Sequence, residues 1–265
     1  MSTPTHSPLA HLTAARVALG RAGVSEPTGS VLAFALDAAR ARDAVVRPAD
    51  FAGLDAALSD HGLTTLSVDS AAPDRLTYLA RPDLGRRLSA ESLARLAAAP
   101  GPASDLVIVA ADGLSSRALD HVPALIDALA AHIAQRRWSI GPIVMAGQAR
   151  VALGDEIGER MKAKMVLVLV GERPGLSSPD SLGAYLTHTP RVGRTDAERN
   201  CVSNIRPAGL PPAQAAAKLA WLMDEAFRIG QTGVSLKDES PSEQMISVTP
   251  PPAAIPDVHI SPARG

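Results

Sequence analysis

Three short polar segments carry most of the side chains in this sequence that could do chemistry, and each adjoins an apolar run. Gly171-Glu-Arg-Pro-Gly-Leu-Ser-Ser-Pro-Asp180 places an acid and a base directly behind Met165-Val-Leu-Val-Leu-Val170, then turns at Pro174-Gly175. Glu172 can accept hydrogen bonds from an amide or hydroxyl of a bound molecule. Its competing use is an ion pair with Arg173, which is disfavoured because neighbours at a strand end point to opposite sides. Ala146-Gly-Gln-Ala-Arg-Val151 opens a helix whose Gly154 and Gly158 lie one turn apart. Those glycines admit either a closely packed neighbouring element or a large planar ligand. Ala111-Asp-Gly-Leu-Ser-Ser116 supplies a glycine for a tight turn and two serines able to cap the next helix. A further polar stretch, 194–206, holds the single cysteine, Cys201, and reads as a structured loop packed against something. Cys201 itself reads as a small apolar residue and not as a nucleophile, since the nearest base in sequence is His188.

These segments need a scaffold, and the apolar pattern supplies one. Residues 106–111, 140–146 and 165–170 are short runs apolar on both faces, separated by amphipathic stretches at 117–137 and 151–163. Such a βαβαβ series requires a parallel sheet covered on both sides, and ligands of such sheets collect beyond the carboxyl ends of the strands. The predicted class is therefore α/β, a Rossmann-like, mostly parallel sheet with helices on both faces. Upstream, helices are predicted at 12–19, at 31–45 behind Thr28-Gly29-Ser30 as N-cap candidates, and from Pro48 to about Gly62, with Phe51, Leu54 and Leu58 inward. Residues 63–68 and 76–80 favour strand, 90–99 is a helix with Ser89 as its cap, and 212–229 is a last helix stopped by Gly230. The expected organisation is a flexible start over 1–10, a small helical domain over 11–62, the Rossmann-like domain over 63–236, and a Pro-rich disordered tail over 237–265.

Composition narrows the function. Lys plus Arg number 26 against 27 Asp plus Glu, so no long-range field draws a polyanion to the chain, and nucleic acid is excluded as a bulk partner. One cysteine rules out an internal disulfide or a multi-thiolate metal site and suits a reducing, cytoplasmic setting. No apolar run approaches the ~20 residues of a membrane helix. The seven histidines are scattered without a close ligand pair, so no protein-held metal is expected. Phosphate-loop, dinucleotide and G-x-S-x-G patterns are missing.

Six blocks give the sequence a specific likeness: Arg16-Val-Ala-Leu-Gly-Arg-Ala-Gly23, Ala39-Arg-Ala-Arg-Asp-Ala44, Asp112-Gly-Leu-Ser115, Gly147-Gln-Ala-Arg-Val-Ala-Leu-Gly-Asp-Glu-Ile-Gly158, Gly171-Glu-Arg-Pro-Gly-Leu176 and Arg199-Asn-Cys-Val-Ser-Asn-Ile-Arg206. In this order, over about 12–237, they resemble the small (light) subunits of ethanolamine ammonia-lyase. The resemblance implies a helical N-terminal part and a Rossmann-like domain. It also implies assembly, in a higher hetero-oligomer, with a large TIM-barrel subunit that holds the substrate. The enzyme so implied converts ethanolamine to acetaldehyde and ammonia with adenosylcobalamin lying between the two subunits, and this chain alone is inactive. The family's cobalamin contacts fall on Val151, Glu172 and Cys201, and no catalytic residue is carried onto this chain. The D-x-H-x-x-G pattern of proteins that replace the lower base with histidine is missing, so the cofactor is expected base-on, its cobalt carried by the cofactor itself. Some family members work inside an ethanolamine-utilisation microcompartment, which adds that location to the cytoplasmic expectation. Against this stand two other uses of the same loops: a free-standing α/β binder of a small or nucleotide-like molecule, and a scaffolding subunit without a ligand.

Overall fold

A computed structural model of the protein describes residues 15–17, 19–98 and 101–240. The predicted flexible start, residues 241–265 of the predicted tail, and half of the predicted helix 12–19 lie outside these. The described residues of that last segment are not helical.

The first helix, α1 (Thr28–Val46), starts behind Pro27, so Thr28 and Ser30 lie within its first turn and no side chain caps it, contrary to the sequence expectation. It buries Ala44, while Leu32 and Leu36 are exposed. In α2 (Phe51–Asp60) the cap is Asp50, whose carboxylate accepts from the Gly53 N–H at 2.9 Å, and Leu54 and Leu58 are buried as predicted. After β1 (Thr65–Asp69) comes a correction: 76–80, read as strand-favouring, belongs to helix α3 (Arg75–Ala80). Asp74 decides the matter, because its carboxylate accepts from the Thr77 N–H at 2.8 Å and nucleates the turn against the weak β preference of Leu, Thr and Tyr.

Helix α4 (Ala90–Ala98) begins after Ser89, whose hydroxyl accepts from the Ser92 N–H at 3.1 Å. Strand β2 (Leu106–Ala111) leads to a 3-10 turn (Ser116–His121) and then α5 (Val122–Arg136). The single helix predicted over 117–137 is thus two pieces, and Pro123, set in the first turn of α5, favours a new start there. Strand β3 (Ile143–Gly147), helix α6 (Leu153–Arg160) and strand β4 (Met165–Gly171) complete the predicted alternation. Strands β5 (Leu182–His188) and β6 (Asn200–Ile205) were not anticipated, and β6 occupies the stretch read as a loop. Helix α7 (Pro212–Ile229) has the predicted bounds and ends at Gly230, whose φ of 73° suits a left-handed C-cap.

The six strands form one sheet in the order β1-β3-β2-β4-β5-β6. The β1–β3, β3–β2 and β2–β4 pairings are parallel, whereas β4–β5 and β5–β6 are antiparallel. The α/β class holds, with a mixed sheet. Every residue of β2, β3 and β4 is buried, as strands covered on both faces require. One face packs Leu, Ile and Met side chains against α2, α5 and α7; the other packs valines of β2 and β4 against α4 and α6. The two helical glycines serve that second packing: a Cβ on Gly154 would stand 2.2 Å from Val168 Cγ2, and one on Gly158 would stand 2.5 Å from Pro190 Cγ. Of the two uses left open by the sequence, close packing on the sheet is the one realised.

Candidate functional site

The connection leaving β2 passes to the α5 face and the one leaving β3 passes to the α6 face, so these neighbouring strands part at their carboxyl ends. A crevice there is the usual ligand site of an open α/β sheet. In this chain Arg75 fills it. Its Nη1 donates to the Gly113 carbonyl at 2.8 Å and to Gln148 Oε1 at 3.4 Å, and lies 3.6 Å from Asp112 Oδ2. Asp112 is buried and accepts from the Ala149 N–H at 3.1 Å, and burial pushes its carboxyl upward against those donors and Arg75. Tyr78 lies beside the plug, fully buried, and donates to the Ala149 carbonyl at 3.0 Å.

The loop after β2 is likewise committed to structure. Leu114 N–H donates to the Gly171 carbonyl at 2.8 Å, Ser115 Oγ to the Pro179 carbonyl at 2.6 Å, and Ser116 Oγ to the Arg47 carbonyl at 2.9 Å. The two serines tie loops together and do not cap the following turn. Gly113 permits the approach: its φ is 56°, and a Cβ there would stand 2.2 Å from the Gly171 oxygen.

What stays open lies to the side, where β4 hands over to the antiparallel strands. Glu172 follows β4, and its backbone N–H donates to the Ser181 carbonyl at 3.0 Å. Its Oε2 accepts from the Ser181 hydroxyl and, at 3.2 Å, from the Asn204 N–H, while its Oε1 takes no hydrogen bond among the described residues. No ion pair joins Glu172 to Arg173, which is exposed, so the local pairing weighed from sequence does not form among the described residues. Across β5, Tyr185 pairs with Val168 of β4 on one side and Cys201 of β6 on the other. A Cβ added to Gly183 would stand 3.0 Å from both Glu172 Oε1 and Tyr185 Cε2, so carboxylate and ring meet over that glycine.

Cys201, read from the sequence as a small apolar residue, is exposed. Desolvation of its sulfur pushes the thiol pKa upward, the hydrogen bond with Tyr185 pulls the other way, and the charge of Glu172 adds to the rise. The thiol is thus held in its protonated form near neutrality. His188 is no help to it: that ring stands edge-on to Phe227 of α7 at 5.9 Å, on the opposite face of the sheet. Val151, half-buried, packs with Tyr185 against the same valine layer on the α6 side. Glu172 and Cys201 are therefore brought to either side of Tyr185, while Val151, just before α6, shares with them only the valine layer on which Tyr185 packs.

Sequence reading missed Tyr185, Ser181 and Asn204, and also the plug Arg75 with its neighbour Tyr78. Asp74 three residues before Thr77 was the available signal for the helix that presents Arg75 and Tyr78. The polar turn Ser177-Ser-Pro-Asp180 before an apolar run was the signal for β5.

The chain is thus of the α/β class, with Arg75 in its switch-point crevice and a face of mixed polar and apolar character beside it. Among the described residues no cluster of His, Cys, Asp or Glu could hold a metal ion, and no helix is long and apolar enough to cross a membrane. The chain belongs to the family described as "Ethanolamine ammonia-lyase light chain (EutC)", whose profile matches residues 4–237. It is 54% identical over 253 residues to the ethanolamine ammonia-lyase small subunit of Xanthomonas campestris pv. campestris, covering 91% of this chain and 92% of that one. The small subunit of Rhodopseudomonas palustris is 54% identical over 242 residues, covering 90% and 93%. That of Pseudomonas putida is 52% identical over 237 residues, covering 88% and 87%.

Proposed function

We propose that this chain is the small subunit of an adenosylcobalamin-dependent ethanolamine ammonia-lyase, inactive alone, and that it holds base-on cobalamin against a large TIM-barrel subunit carrying the substrate. The observation that supports this most is the meeting of Glu172 and Cys201, from separate family blocks, around Tyr185 on one open face. A corrin is flat, largely apolar and fringed with primary amides, and the residues present suit it. Glu172 Oε1, free of partners among the described residues, can accept from an amide N–H, and the carboxylate is steadied by the donors on its other oxygen. The Val151 methyls and the Tyr185 ring offer apolar surface, and Cys201 adds a small polarizable one. When bound, such a cofactor supplies a radical by homolysis of its cobalt–carbon bond.

This chain's own work is then to orient and to exclude water. Packed valines behind Tyr185 make one dry wall, and Arg75 occupies the crevice between β2 and β3. No proton transfer is assigned to the chain. Its one thiol is held protonated, and the imidazole of His188 is on the far face.

The decisive experiment is co-expression with the large subunit, then an assay of ethanolamine-dependent acetaldehyde formation with and without adenosylcobalamin. A stable complex whose activity requires the cofactor is expected. Absence of both complex and activity would overturn the reading.

A further inference from the structure

Tyr185 belongs to none of the sequence blocks that carry the family likeness, yet the open face is built on it. Strand alternation puts residues 183 and 185 on the same side of β5. The glycine at 183 leaves space into which the Glu172 carboxylate leans, with Oε1 and Tyr185 Cε2 each 3.0 Å from the point a Cβ would occupy. On its other flank Tyr185 pairs with Cys201 across β5 and β6, which sets the hydroxyl-bearing ring beside the thiol, close enough for the two to act on each other's titration. Its ring is also seated on the valine layer against which Val151 packs.

We propose that Tyr185 is the positioning residue of the cobalamin-facing surface: its ring fixes the Glu172 carboxylate over Gly183, and its hydroxyl fixes the Cys201 thiol, so that the two present themselves as one unit. This rests on the cofactor reading given above. The physical case is one of freedom removed. A glutamate and a cysteine at a strand edge each have several rotamers, and ordering them when a ligand arrives costs binding free energy. A rigid aromatic with a polar tip can order both beforehand, through two χ angles held by packing. Phenylalanine would keep the wall for Glu172 and lose the hydroxyl beside Cys201. Alanine would lose both.

The titratable groups that bear on the Cys201 sulfur are Tyr185 from β5 and Glu172 from the β4–β5 connection; Asp196, in the 3-10 turn before β6, acts on the Tyr185 hydroxyl. Because Cys201 is the one cysteine in the chain, alkylation of this chain reads a single thiol, and the Tyr185 variants isolate the share of the hydroxyl. The test uses the assembled complex without cofactor, in wild-type, Tyr185→Phe and Tyr185→Ala forms. Hydroxocobalamin affinity is measured by equilibrium dialysis, and iodoacetamide alkylation of Cys201 is followed by mass spectrometry across pH. A hydroxyl that donates to sulfur favours the thiolate, so Tyr185→Phe should move the alkylation midpoint upward by on the order of 0.5 unit. Tyr185→Ala should weaken hydroxocobalamin binding by about tenfold or more, and Tyr185→Phe by less. An unmoved midpoint in Tyr185→Phe, or wild-type affinity in Tyr185→Ala, overturns the proposal. A wild-type complex that binds no hydroxocobalamin overturns the cofactor reading instead, and the midpoint still decides whether Tyr185 holds Cys201.

Discussion

Arg199 clasps Asp155 in a buried, two-pronged ion pair, with Nη1–Oδ1 at 2.6 Å, Nη2–Oδ2 at 2.7 Å, and side chains 2% and 3% exposed. The guanidinium also donates to Thr187 Oγ1 at 3.1 Å and to the Arg194 carbonyl at 2.9 Å. One side chain thus ties the start of β6 to α6 and β5, two residues before Cys201. Arg199 is spent inside the fold, whereas Arg173 is exposed.

Breaking such a pair leaves a buried charge without compensation, which costs about 3–5 kcal/mol. Arg199→Ala should lower the unfolding free energy by that amount, a large part of the ~5–15 kcal/mol typical of a domain. Arg199→Lys should recover little, since an ammonium cannot match the fork geometry. Urea denaturation of the variants checks this. A loss below about 1 kcal/mol would contradict a buried, compensated pair and fit an exposed one.

Glu172 is expected to matter to the ligand more than to the fold. Its Oε2 is engaged by Ser181 and Asn204, and its Oε1 is free among the described residues. Glu172→Ala should weaken cobalamin binding to the assembled complex about tenfold, the worth of one charge-assisted hydrogen bond. Glu172→Gln keeps an acceptor and should lose less. Unchanged affinity in Glu172→Ala, measured by titration, would remove Glu172 from the surface.

How far the sequence carried the structure depends on what kind of signal each element leaves. Strands β2 and β4 are fully buried and read as unbroken apolar runs, so both were legible. Strand β5 is buried over most of its length, yet Gly183, Tyr185 and His188 interrupt its pattern, each for a separate tertiary reason. Strand β6 is a sheet edge whose Cys201, Ser203 and Asn204 are exposed, so it looked like a loop. The site divides the same way. Glu172 was legible because it follows a strand, whereas Tyr185 gains meaning only from the pairing that brings it to Cys201, a contact without a local signature. Arg75 was invisible because a plug is defined by the crevice it fills.

The chain has two tyrosines, and neither should titrate normally. Burial, aided by the charge of Asp112, pushes Tyr78 from 10.0 up to about 12, against the pull of Arg150 and Arg75, whose guanidinium carbons lie 4.4 and 4.9 Å from its ring centre. Burial also raises Tyr185, helped by Cys201, Glu172 and Asp196. A phenol whose folded pKa lies above its unfolded value contributes stability that is intact below pH ~10 and lost as the pH climbs through the folded value. Absorbance at 295 nm, taken as the difference between wild type and Tyr78→Phe, should show no tyrosinate forming near pH 10 in the folded protein and a normal transition in denaturant. A normal midpoint in the folded protein would mean that Tyr78 is not sealed behind the crevice.

Acid lability should come in part from the amino end of β2. Asp105 accepts from the Lys164 ammonium at 2.8 Å and from both the backbone N–H and the hydroxyl of Ser139 at 2.8 Å. The Lys164 bond first, then the Ser139 donors, hold its carboxyl down at about 2, against a partial burial that works upward. A carboxylate whose folded pKa is depressed contributes stability that is present above the unfolded value near 4 and disappears as the pH falls through the folded one. The contribution is at most about 2 kcal/mol, and the Lys164 share is the smaller because that side chain is largely exposed and screened. Ser139 follows α5 and precedes β3, so the donors fix the entry to two central strands at once, and their loss should loosen more than one loop. The expectation is that Asp105→Asn is less stable than wild type at pH 6 and that the gap closes between pH ~4 and ~2. Urea midpoints measured through that range decide it. A gap that persists to pH ~2 would show that the Asp105 charge is not what those donors hold.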